Sequence, residues 1–337
     1  MNTNTIKKPI LLIDGLNVFI RHFAVNESVT AGGDLVGGVL GFTKALGHLI
    51  EQFKPEVVYV VWEQGGPSPR RKSIYSEYKA NRATNKQLKE MYRQDGKFIA
   101  ASDTQNKLFQ LQLLTKILGE LPVCQLFLQD TECDDIIAYL AKRKFQGRTD
   151  TTKIVVSSDK DFYQLLEDPT VRIYDPGKKL LVGADDVLER FGVHVRNITL
   201  ARAVVGDPSD NLDGIPGIGF KTLTSRYPGI RSGETDLDAS WLEEASRKAI
   251  NESGGKKLPK CYSDVLQHLD VVNRNWRLMF LDTSCLAASQ IAKIDYKVDN
   301  FEPKYNKMNY LKIFSSAGIP VSYDIDNCFN ATRLLLR

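Results

Sequence analysis

The sequence predicts an α/β protein, with a three-layer domain on a mostly parallel β-sheet followed by a mainly helical module. The first observation is that five short runs of apolar and β-branched residues alternate with segments of helical periodicity. Such runs are typical of strands buried on both faces of a parallel sheet, and strand–helix alternation favours that sheet. The second is that the pattern becomes mainly helical beyond about residue 195. The 337 residues suffice for about two domains, which we predict at 1–190 and 191–337.

The individual elements follow from the same patterns in chain order. Strands are predicted at Pro9–Asp14, Glu56–Glu63, Val123–Leu128, Lys153–Asp159 and Val171–Asp175. The spacing of apolar residues predicts helices around 42–53, 108–118, 136–141 and 197–205. The polar stretch 231–260 carries little signal, and we expect exposed loop and short helix there.

Composition and spacing exclude several classes of protein. No apolar run approaches the ~20 residues needed to cross a bilayer, and the first one ends at Asp14 without the pattern of a signal-peptide cleavage site. The five cysteines form no CxxC pair, and the four histidines lack zinc-binding spacing. We therefore expect no disulfides, no structural zinc, no membrane association and a cytoplasmic location.

Acidic residues recur where the predicted strands end. Asp14, Glu63 and Asp159 each close one strand, and Glu132 follows another within a few residues. Because the carboxyl ends of parallel strands meet at one edge of a sheet, distant segments bring their carboxylates to the same place. The candidate metal ligands are Asp14, Glu63, Glu132, Asp134, Asp135, Asp159, Asp161, Asp207 and Asp210.

An all-carboxylate set favours a hard, oxygen-preferring ion such as Mg²⁺ or Mn²⁺. Clustered carboxylates repel one another unless a cation compensates them. Two such ions about 4 Å apart can activate a water and stabilise the leaving oxygen of a phosphodiester. The alternative is that single acids only cap helices, as Thr131–Asp134 would at a helix start. A glycosidase, a zinc hydrolase and a Walker-type nucleotide site fit the residues poorly.

The segment 69–107 is strongly basic, with ten Lys and Arg residues against four acids. Aromatic residues, among them Tyr78, are interleaved with these bases. Bases that neutralise phosphate and aromatics that stack on unpaired bases are typical of single-strand binding, although a solvated helix pair would look similar. The candidate nucleic-acid contacts in this segment are Arg70, Arg71, Tyr78 and Lys86.

A glycine-punctuated segment, 214–219, lies in the predicted helical module. Glycines at 214, 217 and 219 would let backbone N–H groups approach a phosphate, with Lys221 adding charge. The pattern indicates a helix-hairpin-helix-like contact with the duplex backbone, or alternatively a tight turn between packed helices. Gly214, Gly217, Gly219 and Lys221 complete the candidate nucleic-acid contacts.

Five ordered motifs in residues 9–225 resemble the flap endonuclease and 5′–3′ exonuclease family, including stand-alone phage enzymes of RNase H type. The motifs are Leu12–Asn17 with Arg21, Tyr78–Arg82, Glu132–Asp135, Ser158–Asp161, and Gly206–Asn211 leading into Gly214–Thr222. The resemblance implies a PIN-like or resolvase-like sheet, a helical arch over residues 69–107 and two Mg²⁺ or Mn²⁺ ions. It also implies cleavage at 5′ ends and single-strand/duplex junctions, including RNA-primer removal, by a monomer working beside replication proteins in the host cytoplasm if phage-encoded.

Residue roles are carried over from the same resemblance. Asp14, Glu132 and Asp134 would hold the first metal, and Asp135, Asp159, Asp161, Asp207 and Asp210 would hold or orient the second. Lys79 and Arg82, helped by Arg21, would polarise the scissile phosphate, and Tyr78 would stack on the terminal base. The loop at 214–219 would grip downstream duplex with a K⁺ ion on its carbonyls.

The chain departs from the family pattern at two positions, and two alternative functions stay open. The family has Asp followed by Gly after its second strand, whereas this chain has Glu63-Gln64. Cys133 replaces the usual alanine, which we expect to be harmless. The first alternative is a catalytically weak or inactive branched-DNA-binding protein, for which Glu63 is the argument. The second is a PIN-type ribonuclease, against which the module after residue 195 argues.

Overall fold

The computed structural model describes residues 7–63, 66–81, 103–234, 236–254 and 257–336. Six strands form one sheet in the order β3-β2-β1-β4-β5-β6. Strands β1 to β5 pair in parallel, and β6 pairs antiparallel with β5. Their bounds are β1 Ile10–Asp14, β2 Val57–Glu63, β3 Cys124–Leu128, β4 Lys153–Val156, β5 Val171–Asp175 and β6 Leu180–Val182.

The five predicted strands are confirmed, although three begin one residue later than predicted and one ends earlier, and one strand is added. Strand β4 ends at Val156, three residues before the predicted end at Asp159. The difference arises because Asp159 caps a following 3₁₀ helix, Lys160–Glu167, and its side chain accepts a hydrogen bond from the Asp161 amide. Strand β6 is a short, partly exposed edge strand, so its sequence lacks the continuous apolar run of a buried strand.

Helices surround the sheet and continue to the C-terminus. Their bounds are α1 Gly15–Phe23, α2 Gly37–Phe53, α3 Pro69–Ile74, α4 Asp103–Leu118, α5 Cys133–Tyr139, α6 Ala184–Phe191, α7 Ile198–Val205, α8 Phe220–Arg226, α9 Ala239–Glu252, α10 Cys261–Gln267, α11 Leu269–Met279, α12 Ala288–Asp299, α13 Lys307–Ser316 and α14 Tyr323–Thr332. A two-stranded ribbon, β7 Gly206–Asp207 and β8 Leu212–Asp213, follows α7. Of the arch predicted at 69–107, residues 82–102 lie outside the described part.

Helix α9 corrects the expectation for the polar stretch 231–260. It is 14 residues long, begins after the capping side chain of Asp238, and buries Ala239 and Leu242. Its buried Ser246 lies 2.6 Å from the hydroxyl of Tyr227. So narrow a buried face leaves a weak periodic signal, and the helix depends on tertiary packing.

Both faces of the sheet are buried, as expected for three layers. On β1, Ile10 and Leu12 belong to one apolar cluster, whereas Leu11 and Ile13 belong to the other. Each cluster also contains residues from beyond 190, so apolar packing crosses the division predicted at 190/191, which stays a prediction. Helix α14 packs against α2, and Gly47 allows this because a Cβ there would lie 3.1 Å from the Cα of Cys328. None of the helices in the described ranges is long and apolar enough to span a membrane.

Candidate active site

The carboxyl ends of the central strands bring the predicted acids to one edge of the sheet. Asp14 is the last residue of β1 and pairs in register with Val61, two residues before Glu63 at the end of β2. Asp159 follows β4, and Glu132 follows β3 immediately before α5. We call this side of the molecule the acid edge.

Three of the predicted acids also cap turns, which is what the helix-capping alternative predicts for single acids. Asp14 accepts from the amide of Asn17 at 3.0 Å, Asp159 from that of Asp161 at 2.9 Å, and Asp207 from that of Ser209 at 2.9 Å. A capping bond uses part of a carboxylate and leaves acceptor sites for other partners. Capping therefore fixes the orientation of these carboxylates without excluding a second role.

The first carboxylate group consists of Glu132, Asp134 and Asp135 around the Arg71 guanidinium. Arg71 donates to both oxygens of Asp135 at 2.8 and 2.9 Å, and it lies 3.4 Å from Asp134. One of its nitrogens is 3.2 Å from Glu132, which also pairs with the Lys79 ammonium and accepts from the amide of Ser68 at 2.9 Å.

The acids of this group differ in the direction in which their pKa values are shifted. Burial acts to raise the pKa of Glu132, but the charges of Arg71 and Lys79 lower it to about 2. For Asp134, burial raises the pKa more than Arg71 lowers it, and the charges of Asp135 and Glu132 add to the rise. Two cations therefore compensate this group of three carboxylates only partly.

Burial corrects the roles predicted for Arg71 and Tyr78. Arg71 is 0% exposed, so it is a buried counter-ion of the acids and has no surface for a nucleic-acid contact. Tyr78 is 2% exposed, and its hydroxyl lies 3.3 Å from both Glu132 and Asp210. Its ring therefore has no open face for stacking on a base. The basic pattern of the segment could not show which of its side chains point inward.

The second carboxylate group consists of Asp159, Asp161, Asp207 and Asp210, and Arg202 is its cation. Arg202 lies 2.8 Å from Asp161 and 2.8 Å from Asp207. Burial raises the pKa of Asp161 to about 7 despite Arg202, and the charges of Asp159, Asp210 and Asp207 contribute to the rise. Burial and the neighbouring acids therefore outweigh the charge of Arg202 at Asp161.

Asp14 is linked to Asp159 of the second group through Ser157. The hydroxyl of Ser157 donates to Asp14 at 3.1 Å and accepts from the amide of Asp159. Burial raises the pKa of Asp14 to about 6, and the charges of Asp159 and Glu63 add to the rise. Glu63 thus acts electrostatically on Asp14. The buried Cys133 donates to the carbonyl of Val61 at 3.4 Å.

The chain just before residue 82 is bonded directly to the loop that carries Asp207 and Asp210. The amide of Lys79 donates to the carbonyl of Asp210 at 2.9 Å. Asn211 donates to the carbonyl of Glu77, and Asn81 to that of Pro208, each at 2.8 Å. Lys79 takes a left-handed backbone conformation, with φ of 57°, and points its ammonium to Glu132. We call residues 69–81 the arch base.

The donor chemistry of the acid edge fits divalent cations. Nine carboxylates lie along the acid edge, and burial, together with the charges of neighbouring acids, raises the pKa values of Asp14 and Asp161. Carboxylate oxygens suit Mg²⁺ or Mn²⁺. Within the described ranges, however, no three acidic, cysteine or histidine side chains converge as ligands. The acid edge instead forms two groups because Arg71, Lys79 and Arg202 draw carboxylates toward themselves.

The other basic residues that were predicted to contact phosphate or nucleic acid lie in different parts of the molecule. Arg21 lies at the C-terminal end of α1, with its guanidinium packed on the backbone of Gly177 in the β5–β6 turn. Arg70 is partly buried in the arch base, and its charge adds slightly to the hydrogen bonds from Ser284 that, against the effect of burial, lower the pKa of Asp282. Arg82 and Lys86 lie outside the described residues, so their predicted roles stay predictions.

The glycine loop, residues 214–219, is divided between packing and open surface. A Cβ on Gly214 would lie 2.1 Å from the carbonyl oxygen of Val205, so this glycine is needed for close packing against the end of α7. Gly217 and Gly219 have open space at the Cβ position, and both are exposed together with Lys221. Buried Ile215 and Ile218 anchor the loop. The fully exposed backbone therefore belongs to Gly217 and Gly219, whereas Gly214 is half-buried.

Sequence reasoning missed Arg202 and Ser157. Arg202 lies in the predicted helix 197–205, five residues before Asp207, and an arginine in an otherwise apolar helix was the available signal. Ser157 directly follows β4, and as a neutral residue among acids it gives no signal of a role in the site.

A parallel sheet with carboxylates at its C-terminal edge, joined to a basic segment and a glycine loop, is the architecture expected of a metal-dependent nuclease. The model of the 5′-3′ exonuclease N-terminal resolvase-like domain matches residues 9–192. The chain therefore belongs to the 5′–3′ exonuclease family and is a 5′ nuclease.

Curated relatives agree with this assignment. The 5′-3′ exonuclease of Buchnera aphidicola subsp. Schizaphis graminum is 28% identical over 234 residues, covering 68% of this chain and 74% of the relative. That of Aquifex aeolicus is 29% identical over 262 residues, covering 77% and 83%. The thermostable DNA polymerase I of Thermus thermophilus is 31% identical over 217 residues, which cover 64% of this chain but 23% of the polymerase.

Solved structures support the fold. The T5 5′-exonuclease with bound zinc ions has a TM-score of 0.61 at 18% identity, covering 92% of this chain and 97% of that one. A bacteriophage T5 flap endonuclease complex with DNA and metal ions gives 0.61 at 17% identity with the same coverage. The predicted PIN-like, mostly parallel sheet is thus confirmed.

Proposed function

We propose that the protein is a Mg²⁺-dependent, structure-specific 5′ nuclease that cleaves phosphodiesters near single-strand/duplex junctions, including 5′ flaps and RNA primers. The observation that carries the proposal is the acid edge, where carboxylates from distant segments of the chain meet at one side of the sheet. The substrate class is supported by the family and by the T5 structures, one of which contains DNA. A cytoplasmic setting, action as a monomer and contact with replication proteins belong to the same proposal.

The residues present would hold two divalent ions. Asp14, Glu132 and Asp134 would hold one, and Asp135 with members of the second carboxylate group would hold or orient the other. When bound, such ions supply an activated water and stabilise the leaving oxygen. A K⁺ ion on the carbonyls of the glycine loop is part of the proposal, resting on the family resemblance alone.

The chain's own side chains would do the positioning. Lys79 brings a positive charge to the buried carboxylate Glu132, where it can neutralise a phosphate oxygen that approaches the acid edge. The exposed backbone of Gly217 and Gly219, with Lys221 beside it, can follow the phosphates of a duplex without reading its sequence. Arg71, buried against the first carboxylate group, would compensate part of its negative charge.

The test is cleavage of a 5′-labelled flap duplex by the purified protein, in Mg²⁺ and then in EDTA. The variant Asp159→Asn removes one charge of the acid edge, and Asp185→Asn, an exposed acid on α6, is the matched control. We expect Mg²⁺-dependent cutting near the junction that is lost in Asp159→Asn and kept in Asp185→Asn. Tight junction binding without cutting would support the binding-protein alternative, and preferred cutting of unstructured RNA would support the PIN-type ribonuclease.

A further inference from the structure

Asn275 of helix α11 joins that helix to the segment leading into the glycine loop. The residue is 0% exposed, and its amide nitrogen donates to the carbonyl of Asp213 at 2.8 Å and to that of Ala203 at 3.0 Å. Asp213 is the last residue of β8 and directly precedes Gly214, whereas Ala203 lies near the end of α7. One buried amide therefore fixes both ends of the β7–β8 ribbon.

The same helix is bonded to the arch base and, through it, to the first carboxylate group. The Nε of Arg71 donates to the carbonyl of Leu278 at 2.9 Å, while its terminal nitrogens hold the acids. The guanidinium of Arg274 lies 4.2 Å from the ring centroid of Tyr75. Leu278 also packs with Tyr78 in a small apolar cluster that includes Leu212. Helix α11 is thus fixed to both flanks of the acid edge.

Arg274 completes the arrangement by orienting Asn275. Its guanidinium donates to Oδ1 of Asn275 at 3.0 and 3.2 Å, so the amide nitrogen must face the two carbonyls. The arch base is also bonded to residues 208–211, so the connections close into a ring. The ring runs from the arch base through the 208–213 segment, Asn275 and Leu278 to Arg71 and back to the arch base. In a closed ring of bonded segments, the position of each segment constrains the positions of the others.

We propose that Asn275 and Arg274 are positioning residues through which duplex held at the glycine loop keeps the arch base, and with it Lys79, in place over the acid edge. This inference rests on the proposed function. Neither residue lies among the proposed metal ligands or duplex contacts, so both act through other residues. Loss of either should slow the chemical step on duplex-containing substrates while the duplex contact itself is retained.

The test uses Asn275→Ala and Arg274→Ala, with Arg277→Ala as the control, because Arg277 is an exposed arginine on the same helix. Duplex affinity and the single-turnover cleavage rate are measured on a junction substrate, and the rate is also measured on a single-stranded oligonucleotide of the same sequence. We expect unchanged affinity and a junction rate lowered at least about tenfold for Asn275→Ala, less for Arg274→Ala. The single-strand rate and Arg277→Ala should match the wild type.

Each other result has a defined meaning. A wild-type protein that does not cleave would refute the proposed function itself. Wild-type junction rates in both variants, a loss of duplex affinity, or an equal fall on both substrates would each overturn the coupling. If Asn275→Ala does not fold, as judged by thermal denaturation, Arg274→Ala decides the question, since its side chain is partly exposed.

Discussion

The two carboxylate groups of the acid edge share one electrostatic pattern, in which one acid has a lowered pKa and a buried neighbour has a raised one. In the first, burial acts to raise the pKa of Glu132 but two cations lower it to about 2, whereas the pKa of Asp134 is raised. In the second, the pKa of Asp207 is lowered beside Arg202, whereas burial raises that of Asp161 to about 7. Burial acts on both groups, and the paired cations offset it at Glu132 and Asp207 only. The comparison indicates that each group keeps a charged carboxylate without metal and contains another whose ionisation an added cation would favour.

The largest effect is expected for the counter-ion of the first group. Arg71→Ala would remove the guanidinium that pairs with Glu132, Asp134 and Asp135, so the free energy of unfolding should fall by about 3–5 kcal/mol. Denaturant unfolding in EDTA measures this. The control is Arg277→Ala, which should change stability by less than ~0.5 kcal/mol because it is a surface substitution. Equal stability of Arg71→Ala and the control would show that Arg71 does not stabilise the first group.

Neutralising one acid in each group should have effects of opposite sign. For Glu132, the pKa is lowered from 4.5 to about 2, so its charge stabilises the fold above pH 4.5, and Glu132→Gln should cost about 3 kcal/mol at pH 7.5. For Asp161, the pKa is raised from 3.8, so its charge opposes folding and Asp161→Asn should stabilise the metal-free protein. The readout is unfolding in EDTA. Shifts of the same sign would break the comparison.

The pH dependence of stability sharpens the role of Asp14. Its pKa is raised from 3.8 to about 6, so the folded state holds this proton more tightly than the unfolded chain does. Stability in EDTA should therefore fall as pH rises from 4 to 6, with a contribution from Asp14 on the order of 3 kcal/mol. Asp14→Asn should remove that part of the slope. A variant profile parallel to the wild type would contradict the assignment.

The smallest effect concerns stabilisation by Mg²⁺ alone. An ion that binds only the folded state stabilises it by about 2.7 kcal/mol at a hundredfold excess over its Kd. We expect Mg²⁺ to raise the Tm of the wild type, and to raise that of Asp161→Asn less because the second group then repels itself less. Asp185→Asn, outside the acid edge, should respond as the wild type does. An equal rise in all three proteins would place the ion elsewhere.

Much of the fold could be predicted because the central strands are buried on both faces. Such strands give continuous apolar runs, and all five of them were found. Strand β6 and helix α9 were missed or underestimated because each is only partly buried. The acids at the strand ends were found because parallel topology brings those ends together.

The side-chain arrangement at the site could be predicted less well. Arg71 and Tyr78 belong to a basic, aromatic segment, and that composition is the same whether a side chain faces solvent or the core. The structure buries both beside Glu132. Similarly, the three glycines of the glycine loop have equal standing in the sequence, but Gly214 packs against Val205 while Gly217 and Gly219 face open space.

The sequence by itself determined which carboxylates lie at the edge of the sheet, because strand ends follow from local apolar patterns and parallel strands bring their carboxyl ends to one edge. Only the tertiary structure decided which cation each carboxylate receives. Arg71 contacts Asp135, 64 residues away, and Arg202 contacts Asp161, 41 residues away. Electrostatic pairing acts through space, so it depends on how distant segments pack and leaves no periodic signal along the chain.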